Sequence, residues 1–253
     1  MRTNLVKQKI RAGEPVFGSF CPFYAPAIVE VCGHAGLDFV VVDAEHGPMS
    51  PQECEHMVRA AEVSGMTPVV RCAQNLPQVM LRYLDIGALG IHIPMINRGA
   101  DAEAFVRAAK YYPDGRRGLA GVRAGGYGIA MPLSEYVVAA NQETLLVAHI
   151  ETTEAVAHLE EILAVAGIDV IFIGPTDLSH SLGYPGRPQE PVVQRVIDQI
   201  VAATLEAGKV VGTIAGDGET AKRLVDRGVL YLAGGVPSTL ARGIRQYLEQ
   251  ARG

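Results

Sequence analysis

Acidic, histidine and arginine side chains recur in this sequence directly after short apolar runs. Glu151 and Asp177 each follow such a run, Asp43 and His46 follow an earlier one, and Arg71 ends another. Paired carboxylates suit a divalent cation, and an imidazole beside a carboxylate suits proton transfer. A guanidinium suits an anion or a developing oxyanion. These residue types indicate an enzyme site, provided that the fold brings them together.

Eight apolar runs alternate along the chain with helix-like segments. Most runs are continuously apolar, which is typical of parallel strands covered on both faces. The predicted strands are Pro15–Phe20, Phe39–Asp43, Thr67–Arg71, Gly90–Ile93, Leu145–Ile150, Asp169–Ile173, Val210–Ile214 and Val229–Leu232. This order predicts an α/β fold, a (β/α)8 TIM barrel, as a single domain over residues 1–253. A doubly wound open sheet is the alternative.

The segments between the strands are predicted to be helical. They are Ala25–His34, Pro51–Ser64, Gln78–Asp85, Ala100–Lys110, Thr153–Ala164, Pro191–Ala207, Glu219–Asp226 and Ser238–Gln250. Glycines expected at left-handed C-caps follow several of them, namely Gly36, Gly65, Gly87, Gly167, Gly208 and Gly228. The exception is Tyr111–Met131, a Gly- and Arg-rich insertion that is too long for an ordinary barrel loop.

Catalytic groups of such a barrel lie at the C-terminal ends of the strands. Glu151 and Asp177 follow adjacent strands, which lie about 4.8 Å apart, so their carboxylates can converge. Two unpaired anions repel each other, whereas a divalent cation satisfies both. Without a Cys or His cluster, the pair favours a hard ion such as Mg2+ or Mn2+. The alternative is that the carboxylates pair with Arg71, Arg117 or Arg123, or cap the next helix.

His46 stands three residues after Asp43 in a turn that ends in Gly-Pro. The carboxylate can therefore orient the imidazole as an acid-base group, although a structural histidine is the alternative. Arg71 is the only charged residue of its strand. It meets a substrate anion or a developing oxyanion, or it forms a buried ion pair with Asp43 or Glu45.

Glycines cluster after the seventh and eighth strands, where barrels often bind phosphate. The turns Gly216–Gly218 and Gly234–Gly235 are therefore candidates for a phosphate site, while Asp217 suits a helix cap. None of the five lysines falls at the C-terminal end of a strand, which argues against Schiff-base chemistry. His149, two residues before Glu151, shares its face of the barrel.

Composition excludes several classes of partner. The 253 residues carry a formal charge of -5 without a long run of either sign, which argues against nucleic-acid and anionic-membrane binding. No apolar run approaches the roughly 20 residues that span a bilayer, and the first ten residues resemble an amphipathic helix rather than a signal sequence. Four cysteines without CxxC spacing indicate reduced thiols. We therefore expect a cytoplasmic protein.

Four ordered motifs carry a resemblance to a known family. They are GLDFVVVDAEHGP at Gly36–Pro48, PVVR at Pro68–Arg71, HIET at His149–Thr152 and GIDVIFIGPTDLSHSLGYPG at Gly167–Gly186. Together they closely resemble the HpcH/HpaI aldolase family, over about Gly18 to Ala241. This family comprises metal-dependent pyruvate aldolases such as 4-hydroxy-2-oxoheptanedioate aldolase and 2-keto-3-deoxy sugar-acid aldolases.

The resemblance implies a class II aldolase that joins or cleaves pyruvate, or a 2-oxo acid such as hydroxypyruvate, and an aldehyde through a metal-stabilised enolate. It implies that Glu151 and Asp177 bind Mg2+, Mn2+ or Co2+. His46 with Asp43 would transfer the proton, and Arg71 would hold the ketone or enolate oxygen. It also implies a homo-oligomer, a trimer or hexamer, in which the last helix packs on a neighbouring subunit.

Further positions follow from the same resemblance. The turn Gly174-Pro175-Thr176 would bind the substrate, its backbone amides receiving the pyruvate carboxylate. Asp85 matches an acidic position that reaches a neighbouring subunit's site. His149, expected in the substrate pocket, stands where several members have Gln. Two rival hypotheses remain: a barrel isomerase or synthase for a phosphorylated substrate, and a catalytically inert ligand-binding protein.

Overall fold

Eight parallel strands form a closed barrel in the computed structural model, which describes residues 1–253. The strands are β1 Val16–Cys21, β2 Phe39–Asp43, β3 Thr67–Arg71, β4 Gly90–Ile93, β5 Leu145–Ile150, β6 Val170–Ile173, β7 Val210–Ile214 and β8 Val229–Gly235. Each strand pairs with the next along the chain, and β1 pairs with β8. The predicted barrel is confirmed, and the open-sheet alternative is wrong because the sheet has no free edge.

Helices cover the outside of the barrel. They are α1 Leu5–Arg11, α2 Pro26–His34, α3 Pro51–Val63, α4 Pro77–Asp85, α5 Gly99–Ala109, α6 Leu133–Glu143, α7 Thr153–Ala157, α8 Leu159–Ala164, α9 Pro175–Ser181, α10 Pro191–Glu206, α11 Gly218–Asp226 and α12 Val236–Arg252. All six glycines predicted at C-caps have a positive φ, as at Gly87 after α4, where φ is 104°. None of the helices combines the length and apolarity needed to cross a membrane.

Three helical segments differ from the prediction. The predicted helix Thr153–Ala164 is broken at His158, whose φ of -114° and ψ of 21° separate α7 from α8. The helices α6 and α9 have no predicted counterpart, and α9 begins at Pro175, almost directly after β6. The insertion Tyr111–Met131 is irregular as expected, apart from a 3-10 segment at Arg123–Gly128.

Alternation along the strands divides the core into two layers. In β5, Leu145 and Val147 belong to the cluster inside the barrel, whereas Leu146 and Ala148 belong to the cluster between strands and helices. The same period of two directs His149 inward. The inner core layer therefore continues along β5 to His149, near the C-terminal rim.

The N-terminal helix α1 closes the opposite end of the barrel. Val6 and Ile10 join the inner core. Lys7 is buried, donates to the carbonyl oxygen of Thr144 at 2.8 Å and pairs with Asp169 at 2.9 Å. Because these partners precede β5 and β6, α1 seals the rim at which the strands begin. The predicted amphipathic helix at the start of the chain is confirmed.

Candidate active site

A cavity opens at the C-terminal ends of the strands, where barrel enzymes carry their catalytic groups. It is lined by Phe20, His46, Arg71, His149, Glu151, Phe172, Gly174, Pro175, Thr176, Asp177, Ile214, Gly234, Gly235 and Ser238. Eight of the ten residues predicted for the site are among them. The other two are Asp43 and Asp85. Asp43 is buried beneath the cavity lining, where it binds Arg71, and Asp85 lies away from the cavity and binds Arg117.

The buried Asp43 carboxylate ties two neighbouring strand ends together. It accepts hydrogen bonds from Arg71 Nε at 2.9 Å and Nη2 at 2.5 Å, and from the backbone amides of Glu45 and His46 at 3.1 and 3.2 Å. Burial favours a higher pKa for Asp43, but the contacts with Arg71 outweigh it and lower the pKa below its usual value. Asp43 is therefore ionised and fixes the guanidinium. These hydrogen bonds use Nε and Nη2 of Arg71 and leave Nη1 for a ligand.

His46 lies exposed at the mouth of the cavity. The Asp43 carboxylate accepts a hydrogen bond from the backbone amide of His46. The predicted orientation of the ring by Asp43 would need a hydrogen bond to the imidazole, and none is formed. The structure therefore fixes the turn that carries His46, while the imidazole itself forms no hydrogen bond.

Glu45 is an additional carboxylate at this rim, which the sequence presents only as a possible partner of Arg71. Its Oε2 atom is buried without a hydrogen bond and lies 3.3 Å from Arg71 Nε. Burial raises the pKa of Glu45, although the nearby Arg71 opposes the shift. Glu45 therefore protonates more readily than Asp43 and Glu151, whose pKa values are lowered.

Glu151 is buried and anchored through both of its oxygens. Oε1 accepts a hydrogen bond from the Met95 amide at 2.8 Å, and Oε2 lies 3.4 Å from His149 Nδ1. Burial favours a higher pKa for Glu151, but its contacts with His149 and Met95 lower the pKa below its usual value. Gly174 packs against this carboxylate so closely that a Cβ there would lie 2.7 Å from Oε2. The missing side chain makes room for the charged oxygen.

Asp177 lies in the first turn of α9, exposed on the cavity wall. The helix begins with Gly174 as its N-cap and receives no side-chain cap, so Asp177 does not cap it. Its carboxylate forms no ion pair in the structure. Asp177 is therefore available to a ligand in the cavity.

The ion pairs considered as alternatives for Glu151 and Asp177 are not formed. The three arginines have other partners: Asp43 for Arg71, Asp85 for Arg117 and Glu62 for Arg123. The two carboxylates thus face one cavity without an arginine partner. No group of three or more His, Cys, Asp or Glu side chains could hold a metal ion. The donor set fits a hard ion that takes its remaining ligands from water and substrate.

Comparison with known proteins identifies the family. The pattern of the HpcH/HpaI aldolase/citrate lyase family matches residues 17–243. The chain belongs to this family. The resemblance carried by the four motifs is thereby confirmed, and with it the prediction of an aldolase, a carbon-carbon lyase.

Relatives within the HpcH/HpaI family cover nearly the whole chain. The 4-hydroxy-2-oxo-heptane-1,7-dioate aldolase of Shigella sonnei (strain Ss046) is 35% identical over 239 residues, which are 94% of this chain and 90% of that protein. The hydroxypyruvate/pyruvate aldolase of Pseudomonas aeruginosa is 33% identical over 253 residues, 99% of this chain and 93% of that protein. The crystal structure of an HpcH/HpaI aldolase/citrate lyase family protein from Burkholderia cenocepacia J2315 has a TM-score of 0.93 and 33% identity, covering 99% and 100% of the two chains.

Asp85, selected through the HpcH/HpaI resemblance, does not reach the cavity of its own chain. It ends α4 at the opposite rim and pairs with Arg117 Nη2 at 2.7 Å. Arg117 is itself buried and packs its guanidinium over the ring of Tyr111, 4.7 Å from the centroid. The role of Asp85 at a neighbouring subunit's site stays a prediction.

Two buried residues below the cavity are absent from the predicted site. His92 Nδ1 lies 2.9 Å from His149 Nε2, and His92 Nε2 lies 2.9 Å from the hydroxyl of Tyr231. Strand alternation alone indicates that these side chains point inward. Which inward side chains meet depends on the closure of the barrel, and no local pattern reveals it.

The glycine turns have separate roles. Gly234 and Gly235 line the same cavity as the carboxylates. Asp217 caps α11, because its side chain accepts a hydrogen bond from the Thr220 amide at 2.7 Å. The helix-cap interpretation of Asp217 is therefore confirmed.

Proposed function

We propose that this protein is a divalent-metal-dependent aldolase that forms or cleaves the carbon-carbon bond between pyruvate, or a related 2-oxo acid such as hydroxypyruvate, and an aldehyde. The observation that carries the proposal is the cavity in which Glu151 and Asp177, without cationic partners, face Arg71 and His46. Identities of 33% and 35% to two aldolases over nearly the whole chain support the reaction class.

Glu151 and Asp177 would hold the ion, for which Mg2+, Mn2+ and Co2+ are the candidates. When bound, a divalent ion polarises the ketone of a 2-oxo acid and stabilises negative charge on its oxygen. Glu151 contributes an ionised carboxylate whose position is fixed by Met95 and His149. Asp177 contributes a carboxylate from the exposed first turn of α9.

The chain's own groups orient the 2-oxo acid. The first amides of α9, at Thr176 and Asp177, have no acceptor within the helix, so they receive the substrate carboxylate. Arg71 is held in place by Asp43 and directs Nη1 toward the 2-oxo oxygen. It thereby stabilises the negative charge that develops on this oxygen as the carbon-carbon bond breaks.

His46 moves the proton in this proposal. In cleavage it takes the proton of the substrate hydroxyl while the adjacent carbon-carbon bond breaks, the aldehyde is released and the bonding electrons stay on the 2-oxo acid as its enolate. This proton then passes to the enolate carbon and gives pyruvate. In synthesis the same steps run in reverse, and His46 returns the proton to the aldehyde oxygen. Because its ring is exposed and its turn is fixed by Asp43, the imidazole can reach the hydroxyl from the mouth of the cavity.

Removing divalent ions with a chelator and then adding them back tests this function. Chelator-treated protein should lose cleavage of 4-hydroxy-2-oxo acids, and Mg2+, Mn2+ or Co2+ should restore it, as measured by release of pyruvate. Borohydride with pyruvate should leave the mass of the protein unchanged, because no lysine lines the cavity. Full activity after chelation, or a trapped adduct, would contradict the proposal. Competition by inorganic phosphate would favour an enzyme for phosphorylated substrates instead.

We also propose that α12 is exchanged between subunits of a trimer or hexamer. Leu240, Ile244 and Tyr247 lie on one face of this helix and are 50%, 50% and 69% exposed. Beside the helix runs a largely apolar groove between α2 and α11, to which Ile28 and the 66%-exposed Val31 belong. The apolar face of α12 from a second copy would cover this groove, and both surfaces would leave water.

The state of the four cysteines supports a cytoplasmic location. All four cysteines are free, and three of them are buried. Burial raises the pKa of Cys54 to about 12, which suppresses the reactive thiolate. We propose that the protein works in the reducing cytoplasm, where such thiols persist.

A further inference from the structure

Three buried polar side chains form a hydrogen-bonded row inside the barrel, directly below Glu151. The Tyr231 hydroxyl lies 2.9 Å from His92 Nε2, His92 Nδ1 lies 2.9 Å from His149 Nε2, and His149 Nδ1 lies 3.4 Å from Glu151 Oε2. None of the three side chains is more than 1% exposed. Burying so many polar atoms is costly unless each is paired, and here the row pairs them in sequence.

We infer that Tyr231, His92 and His149 are a positioning relay, which holds the Glu151 carboxylate in the orientation that binds a divalent ion. The inference rests on the proposed function for the identity of the ion. The three residues would act on the ion through Glu151, to which His149 is the nearest member of the row.

Glu151 sets the direction of every hydrogen bond in the row. An ionised carboxylate only accepts, so His149 carries its proton on Nδ1. In the proposed row Nε2 of His149 then accepts, so His92 donates from Nδ1. Nε2 of His92 accepts in turn, and the Tyr231 hydroxyl donates to it. With the opposite direction, a lone pair of His149 would face the carboxylate.

The two members of the row that lie farther from Glu151, His92 and Tyr231, are kept neutral by burial. Burial, with His149 and Arg71 nearby, holds the pKa of His92 well below its usual value. Burial raises the pKa of Tyr231 well above its usual value, so its hydroxyl keeps its proton. His92 and Tyr231 are therefore neutral, and each has one proton to donate toward Glu151.

Aromatic packing fixes the rings of the row. His149 stacks on Phe172 with the ring centroids 4.7 Å apart, and Tyr231 stacks on Phe39 at 4.2 Å. Rotation of either ring would break its stack, and His92 is held between them by two hydrogen bonds. The donor of His149 therefore stays directed at Oε2 of the carboxylate.

The row positions Glu151 and does not conduct protons to solvent. Tyr231 is fully buried, and His92 is the only hydrogen-bond partner of its hydroxyl. The row thus ends inside the barrel. Together with the Met95 amide on Oε1, it restrains both oxygens of Glu151, which lines the cavity.

Mn2+ binding to the metal-free protein, measured by isothermal titration calorimetry, tests the far end of the relay. Tyr231→Phe keeps the stack on Phe39 and removes only the hydroxyl, so Mn2+ should bind about threefold more weakly as the row loses polarisation. Tyr111→Phe is the matched control, because the Tyr111 hydroxyl is also buried but has no hydrogen-bond partner. Its Mn2+ affinity should equal that of the wild type. Equal affinities of the two variants would overturn the inference.

Substitutions at His149 test the near end. His149→Leu removes the donor to Glu151 and should weaken Mn2+ binding by about tenfold or more. His149→Gln keeps a donor and an acceptor in one side chain and should recover most of that affinity. Both variants lose the stack on Phe172, so their difference reports the hydrogen bond. Equal Mn2+ binding by Leu and Gln would contradict the relay.

The direction of the row is read independently by NMR of protein labelled with 15N in its histidines. Both His92 and His149 should carry the proton on Nδ1 in the metal-free protein, and a proton on Nε2 of either would overturn the relay. A wild-type protein that binds no Mn2+ would contradict the proposed function and the relay's role with it. A wild-type protein that binds Mn2+ while Tyr231→Phe binds it equally would contradict the relay alone.

Discussion

Gly174 is the residue on which the carboxylate site depends most directly. Its φ of -91° is open to any residue, so glycine is needed here for space rather than for backbone conformation. An added Cβ would lie 2.7 Å from Oε2 and 3.2 Å from Cβ of Glu151. The carboxylate would have to leave the position that Met95 and His149 define.

Gly174→Ala should therefore weaken Mn2+ binding by about tenfold, the scale for disturbing the support of a metal ligand. The forced shift should also lower the free energy of unfolding by about 1–2 kcal/mol. Calorimetric Mn2+ titration and urea unfolding measure the two effects. Gly216→Ala is the control at the same rim, because a Cβ there meets nothing within 4 Å. An unchanged Mn2+ affinity of Gly174→Ala would show that Glu151 is not held by this contact.

Among single residues, the sequence predicts those that stand at strand ends. Glu151, Asp177, His46 and Arg71 are polar groups directly after apolar runs, and the geometry of a parallel barrel places such groups at one rim. Tyr231 could not be predicted in this way, because it lies within its strand and meets His92 only across the closed barrel. Contacts through the interior depend on strand tilt and stagger, which no local spacing encodes.

At the scale of elements, the strands were predictable and two helices were not. Each strand is an apolar run buried on both faces, which is a strong local signal. The helix α9 has the sequence PTDLSHS, in which Leu178 is the only large apolar residue, so it lacks the period of an amphipathic helix. The helix α6 follows the irregular insertion Tyr111–Met131, whose glycines obscured where regular structure resumes.

The N-terminal helix α1 makes an element-scale prediction possible. Its N-cap Asn4 is fully buried, accepts from the Lys7 amide at 3.0 Å and donates to the carbonyl oxygens of Leu89 and Glu143, each at 2.9 Å. One side chain thus caps the helix and donates to two carbonyl groups that precede β4 and β5. The closure of this end of the barrel depends on Asn4.

Asn4→Ala should lower the free energy of unfolding by about 2–4 kcal/mol, because the substitution removes a cap and two further hydrogen bonds of a fully buried side chain. Ser50→Ala, at the exposed N-cap of α3, is the control and should cost about 1 kcal/mol. Urea unfolding measures both. Activity per folded molecule should be unchanged, since α1 lies at the end opposite the cavity. Equal costs in the two variants would mean that the buried contacts of Asn4 add nothing to its cap.

At the scale of the whole molecule, the barrel was predictable because eight strands in alternation with helices close in one way. The packing partner of α12 could not be predicted from the local sequence pattern. Its pattern predicts an amphipathic helix, and only the structure shows that Leu240, Ile244 and Tyr247 on its apolar face stay half exposed or more. The proposed exchange would cover that face with a second copy of the chain.

A double substitution on α12 tests the exchange of this helix between subunits. Ile244→Asp with Tyr247→Asp places two charges on the face that the proposal buries against a second copy, where an unpaired charge is strongly unfavourable. We expect size-exclusion chromatography with light scattering to show smaller species than the trimer or hexamer that we propose for the wild-type chain. Gln246→Asp, on the other side of the helix, adds a charge that stays in water and should leave the assembly intact. Since all three positions are exposed in the single chain, loss of folding would not explain a difference between the variants. An assembly that survives the double substitution would mean that α12 does not hold the subunits together.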